Sequence, residues 1–337
     1  MKNVRKNYYD SNLIFKYIYP DSNDELSSLS SNDLNDLIFL INEYYLEYRK
    51  TLGLEKDITF GIELEMEYVK KNIIKDRLNN NTFYKWNLKS DTSLEQGLEI
   101  NSPVLIDIEK HWSELEQICD ICKDNSKIAS HCGGHVHIGT QILGNNFKYW
   151  VNFFKLWSTY ENIVYRFTYG DYLTERKSIS FALPIAGILW EKCKKINTDD
   201  LKKFITSISK ERNRAINFGN IKSFDSYAEK NTIEFRCPNG TLNPIIWQNN
   251  INLLIKLLLY CKNDNFNNDV IETRREYNQK ECYSLNIYKE IYFSQALELA
   301  DLIFSNNQDK VYFLRQYLKN FDSSNEQMKK AKVFTKK

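Results

Sequence analysis

Apolar positions along the chain change period several times, and each change marks an element. LNDLIFLINEYYLEYRKTL, from Leu34, repeats its apolar residues at helical spacing and predicts an amphipathic helix. The Ser/Asn/Asp-rich stretch ahead of it, SNDELSSLSSNDL at 22–34, reads as a loop that offers N-caps. Residues 58–69, ITFGIELEMEYV, switch to period two, the signature of a strand. A polar stretch at 70–81 follows, and LEQGLEINSP gives a second strand signal. EKHWSELEQICDICKD (109–124) reads as a helix and GGHVHIG as a third strand. The aromatic-rich FKYWVNFFKLWSTYENIVYRF (147–167) is most simply a buried helix, and 199–209 is also helical in pattern. NTIEFRCP is a fourth strand closed by proline, and IIWQNNINLLIKLLLYCK a further amphipathic helix. Past about residue 262 the chain turns polar, with helical patterns at 288–304 and 311–321. Strands and helices mix without internal repeat or regular βαβ alternation, which predicts an α+β fold with a largely antiparallel sheet.

The four strands share an unusual feature. Side chains alternate across a strand, so Phe60, Ile62, Leu64, Met66 and Tyr68 face one way while Glu63, Glu65 and Glu67 face the other. Taken alone, that strand would be read as half-exposed with a solvated acidic face. Yet Leu98 and Ile100 oppose Gly97, Glu99 and Asn101; Val136 and Ile138 oppose His135 and His137; Ile233 and Phe235 oppose Thr232, Glu234 and Arg236. Asp91 precedes Glu99 by eight residues, so a turn could return it to the same face. In one sheet, these strands would crowd carboxylates and imidazoles onto a single face, where they repel and are costly to bury. Divalent cations remove the conflict: oxygen-rich ligand sets suit Mg²⁺ or Mn²⁺, and the latter tolerates imidazole. An arginine in that field points to an anion above the metals, most naturally a phosphate.

Composition narrows the setting. With 337 residues the chain can bury a sizeable core as one large or two small domains. A net charge of +2 favours neither nucleic acid nor an anionic membrane as partner, and the basic MKKAKVFTKK reads as a solvated end. No stretch has the ~18 uninterrupted apolar residues of a membrane span. The N-terminal MKNVRKNYYDSN lacks the apolar region of a signal peptide, and an odd 7 cysteines, irregularly spaced, argue against a disulfide framework. A cytoplasmic location with reduced thiols is the expectation.

GIELE, the D…GLEI-SP segment, HCGGHVHIG and TIEFR-PNGTLN, in this order, resemble the amidoligase family, relatives of glutamine synthetase and glutamate–cysteine ligase. The resemblance covers roughly residues 58–262. It implies the curved, largely antiparallel catalytic sheet of that superfamily with flanking helices. It also implies an ATP-dependent ligase that joins a carboxylate substrate to an amine substrate (amino acid, peptide or protein) through an acyl phosphate, with two or more Mg²⁺ or Mn²⁺ ions. One ion would be held by Glu65, Asp91 and Glu99, another by Glu63, His135 and Glu234. His137 would contact nucleotide phosphate, and Arg236 the transferred phosphate. The ERNRAIN segment would supply Arg214 and Asn217, although Arg212 competes with Arg214 for that place. The expected domains are a helical extension at 1–57, the catalytic region at 58–262, and a C-terminal helical region at 263–337.

Two other readings stand beside this one. Cys119, Cys122, His131, Cys132 and His135 are close enough in sequence for a zinc hydrolase, although Cys119 and Cys122 also fit the apolar side of a helix with Leu115 and Ile118. The chain could also be a relative that binds nucleotide without catalysis. No GxxxxGK[ST] loop is present, so ATP would have to bind by another device.

Overall fold

The computed structural model describes residues 22–43, 46–80, 85–129, 131–168, 182–196, 200–208, 212–221, 231–280 and 293–318. It is α+β, with one six-stranded sheet and ten α-helices among the described residues. The chain forms two compact units, one drawn from 1–46, 283–320 and 328–337, the other from 47–282 and 321–327. The range 58–262 lies inside the second. The basic end at 328–337 lies outside the described residues.

In the first unit, a 3₁₀ turn (Leu26–Ser28), α1 (Ser31–Glu43), α9 (Phe293–Ile303) and α10 (Asn307–Leu318) pack together. The Asp301 carboxylate accepts the amides of Leu26 (2.9 Å) and Ser27 (2.8 Å). Lys310, 2% exposed, donates to Asp301 (2.8 Å) and to the Asp24 carbonyl, so its buried charge is paired.

The second unit is built on the sheet. Its strands are β1 (Phe60–Met66), β2 (Asn87–Ser90), β3 (Leu98–Asn101), β4 (Gly134–Gly139), β5 (Ile216–Asn217) and β6 (Thr232–Phe235). Their order is β2-β3-β1-β4-β6-β5, every pair antiparallel. The register sets Leu64 opposite Ile100 and Ile62 opposite Val136, and carries this alternation across to Phe235. The apolar face is therefore continuous, and Ile62, Leu64, Ile100, Val136, Ile138, Ile233 and Phe235 are all buried. Each such side chain contributes about 1.5–3 kcal/mol by leaving water.

Helices α3 (Glu109–Lys123), α4 (Phe147–Thr168) and α7 (Pro244–Tyr260) supply the matching core. Trp112 of α3 stacks on Phe60 (5.0 Å), Trp157 of α4 lies 5.5 Å from Phe235, and α7 packs against β4. Helix α4 breaks at Tyr160 (φ −113°, ψ 15°). The break leaves carbonyls open, and α8 (Asn268–Lys280) fills them: Arg275 donates to Ser158 O (2.7 Å) and Asn278 to Thr159 O (2.9 Å). Beyond the break, the buried Glu161 accepts from Trp157 Nε1 and from the Ile185 and Ala186 amides that open α5 (Ala186–Lys194). Leu183 then bridges to Arg214, which follows α6 (Leu201–Thr206) and precedes β5.

Several expectations needed correction. The helix read from Leu34 is helical only over Ser31–Glu43, and from Leu46 the backbone is not helical. Its amides turn to distant partners instead: Asp107 takes those of Leu52 and Leu54 (both 2.8 Å), and Gln248 pairs with both backbone groups of Arg49. The polar stretch at 70–81 holds α2 (Lys71–Asn80), whose Ile74 and Leu78 are buried at i, i+4. Tyr68 leaves β1 with φ 53° and is exposed, so it does not continue the apolar face.

Candidate functional site

The register that makes one face apolar makes the other ionisable. Glu63 lies opposite His135 on β4 and Asn101 on β3, Glu65 opposite Glu99, and His137 opposite Glu234. Lys89 of β2 is opposite Glu99, and Asn217 of β5 is opposite Glu234. Asp91 follows the end of β2, with Ser93 N and Oγ both donating to its Oδ1 at 2.7 Å. That turn returns the carboxylate to the sheet face.

Two groups result. Glu65, Asp91 and Glu99 each bring one oxygen within 4.8 Å of the others, and ligand atoms of Glu63, His137 and Glu234 come equally close together. His135 sits between them, 2% exposed. Its Nδ1 lies 2.9 Å from Glu63 and 3.7 Å from Glu234, while its Nε2 is 3.5 Å from Glu65 with no hydrogen-bond partner. The residues expected to serve two cations are thus gathered on one face, and His137 joins Glu63 (3.1 Å) alongside His135.

Each carboxylate is aimed by a neighbour. Glu65 accepts the Gly133 amide. Glu234 accepts from Asn217 (2.7 Å), Asn220 (3.3 Å) and the Arg236 guanidinium. The Asn217 side-chain oxygen is itself fixed by the Gly219 amide (2.9 Å), so its amide group is turned toward Glu234. Gly134 is glycine for lack of space. A Cβ there would lie 2.6 Å from Asn239 O and 3.0 Å from Trp247, where the turn after β6 closes over β4. Arg214 donates to the Pro184 carbonyl (3.3 Å), and Arg212 is exposed. Asn101, Asn220 and Lys89 were not singled out from sequence as site residues. Asn101 shared the face in the alternation, whereas Lys89 and Asn220 lie in segments with no strand pattern.

Five carboxylates against few cations make the face electrostatically unfinished. Burial alone would push the Glu63 carboxyl up, but His135 and His137 bond to it and hold it well below the usual carboxylate range. Burial and then the Glu63 charge push Glu99 up. Burial works to lower His137, but the Glu63 carboxylate outweighs it and raises the imidazole. The donor set fits divalent cations: oxygens dominate, imidazole is in reach, and the buried His135 Nε2 and Asn101 Oδ1 have no hydrogen-bond partner.

A pH dependence follows for the metal-free protein. Glu99 and His137 both bind protons more tightly folded than unfolded, so the contribution of each falls as pH rises. That of Glu99 is lost as pH rises above about 4.5, in the acid range where the lowered Glu63 carboxyl acts in the opposite sense, and that of His137 is lost as pH rises above about 6.5. In chelator, the melting temperature is expected to decline from pH 6.5 upward, and His137→Gln to flatten that part of the curve. An unchanged slope in the variant would assign the dependence elsewhere.

Among the described residues no cysteine joins either carboxylate-rich group. Cys119 and Cys122 lie in the core on α3, where burial pushes the Cys122 thiol up to about 12. Neither metal-capable group among the described residues contains a cysteine. His131 lies 3.6 Å from Glu67. Among the described residues no helix is long and apolar enough to cross a membrane.

A family model described as "Putative amidoligase enzyme" matches residues 69–258, more than half of the chain. The match begins just past β1 and ends within α7. No curated protein matches the chain.

Proposed function

The chain belongs to the amidoligase family, ligases that join a carboxylate to an amine, and on that premise we propose that it forms an amide bond at the expense of ATP through an acyl phosphate. The observation that carries this reading is one sheet face holding two carboxylate-rich groups with Arg236 beside them.

In the proposed reaction a substrate carboxylate oxygen attacks the γ-phosphorus of ATP, forming an O–P bond as ADP leaves. The amine nitrogen then attacks the acyl carbon, phosphate departs, and the amine loses its proton. No protein nucleophile is required. Glu65, Asp91 and Glu99 would hold one Mg²⁺ or Mn²⁺ and Glu63, His135 and Glu234 another; when bound, the ions would neutralise phosphate charge and align its oxygens. Arg236 donates its planar fork to the transferred phosphoryl group, and Glu234 keeps that fork in place. His137 reaches the nucleotide phosphates from β4. Asn217 acts by orienting Glu234, and Arg214 is a candidate contact for substrate or phosphate.

Calorimetric titration tests the reading. ATP is expected to bind with Mg²⁺ or Mn²⁺ present and not after chelation, and equal affinity in both conditions would refute it. A screen of amino acids and peptides for ADP release, with mass spectrometry of the products, identifies the acid and the amine.

A further inference from the structure

Glu67, one residue past the end of β1 and bridged to Lys127, continues the alternation of Glu63 and Glu65, yet it joins neither carboxylate group. It is 1% exposed, and its Oε1 accepts the backbone amide of Glu95 at 3.0 Å. Glu95 lies in the 91–97 turn that begins with Asp91. The same turn is bound to the end of β1 by Tyr68 N to Glu95 O (3.3 Å) and Val69 N to Gln96 O (3.2 Å). It is a tight junction: Tyr68 and Gln96 both have positive φ, and a Cβ on Gly97 would come within 2.7 Å of the Met66 carbonyl. A buried carboxylate is costly unless it is bonded, and here its bond reaches the loop that carries Asp91.

We infer that Glu67 is a positioning residue: its carboxylate clamps the 91–97 turn so that Asp91 meets Glu65 and Glu99 with the spacing a divalent cation needs. The inference rests on the metal-dependent reading above. Residues that orient ligands from behind typically change metal affinity by about 10–100-fold when altered. Two conservative variants separate the hydrogen bond from the charge. Glu67→Asp keeps the charge but withdraws the acceptor by one methylene; Glu67→Gln removes the charge but keeps an oxygen for the Glu95 amide.

Mn²⁺ binding to the whole protein, followed by electron paramagnetic resonance, is expected to weaken about tenfold or more in Glu67→Asp and to stay close to wild type in Glu67→Gln. Amide hydrogen exchange of the 91–97 segment should accelerate in the Asp variant alone. An Asp variant with unchanged Mn²⁺ affinity, or a Gln variant weakened as much as the Asp variant, overturns the assignment. Wild-type protein that binds no Mn²⁺ would instead overturn the metal-dependent reading. The clamp itself would then stand or fall on the exchange result.

Discussion

Replacing Arg236 by lysine is expected to lower kcat by about a hundredfold or more while leaving ATP affinity nearly intact, the usual effect of removing a donor aimed at developing charge. Arg236 follows Glu234 by two residues on the same face, and its guanidinium bonds the Glu234 carboxylate. Its backbone amide is fixed on the Ala215 carbonyl (2.8 Å), so the side chain starts from a determined place. Lysine could satisfy Glu234 as a point charge. It cannot reproduce two parallel hydrogen bonds to a phosphoryl group. The contact strengthens as charge develops, so its loss belongs in turnover more than in nucleotide binding. Near-normal kcat in the variant, with its ATP dissociation constant, would reduce Arg236 to a structural partner of Glu234.

Glu65→Gln should abolish detectable ligation, a loss of at least about a hundredfold, while the metal-free protein becomes more stable. Glu65 belongs to the group with Asp91 and Glu99 and also faces His135. Two unit charges about 5 Å apart repel by roughly 3 kcal/mol at an effective dielectric of 20, and less where water reaches them. Glutamine removes one of three such charges and keeps an oxygen for the Gly133 amide. A raised melting temperature in chelator, together with lost turnover, is the expected pair of results. A variant that melts well below wild type would make Glu65 a structural carboxylate.

The acidic face was readable in the sequence because the strands that carry it are regular. In β1, β3, β4 and β6 a period of two separates buried apolar residues from Glu and His, and Arg236 extends the pattern just past β6. What the period cannot give is how the strands are ordered and which carboxylates converge. Glu65 and Glu99 meet because β1 and β3 are paired in one register, and Asp91 joins them only through its turn. Elements whose inward side is polar were faint. Helix α8 anchors itself with Arg275 and Asn278, and β2 is a four-residue edge strand with mostly exposed side chains. Glu67 looked like a third member of the acidic row. Its partner is a backbone amide 28 residues away, which leaves no trace in side-chain pattern.

The place of β1 in the strand order has a practical consequence. Among the described residues it is the first strand in sequence order, and it stands between β3 and β4, whereas the segment matched to the family begins at residue 69. A polypeptide cut to the matched segment would lose Glu63, Glu65 and the strip that joins the two halves of the sheet. Its β3 and β4 would each expose a row of unpaired amides and carbonyls, the kind of border along which chains self-associate. Engineered fragments of this enzyme should therefore start ahead of Phe60, or be given the missing strand as a separate peptide.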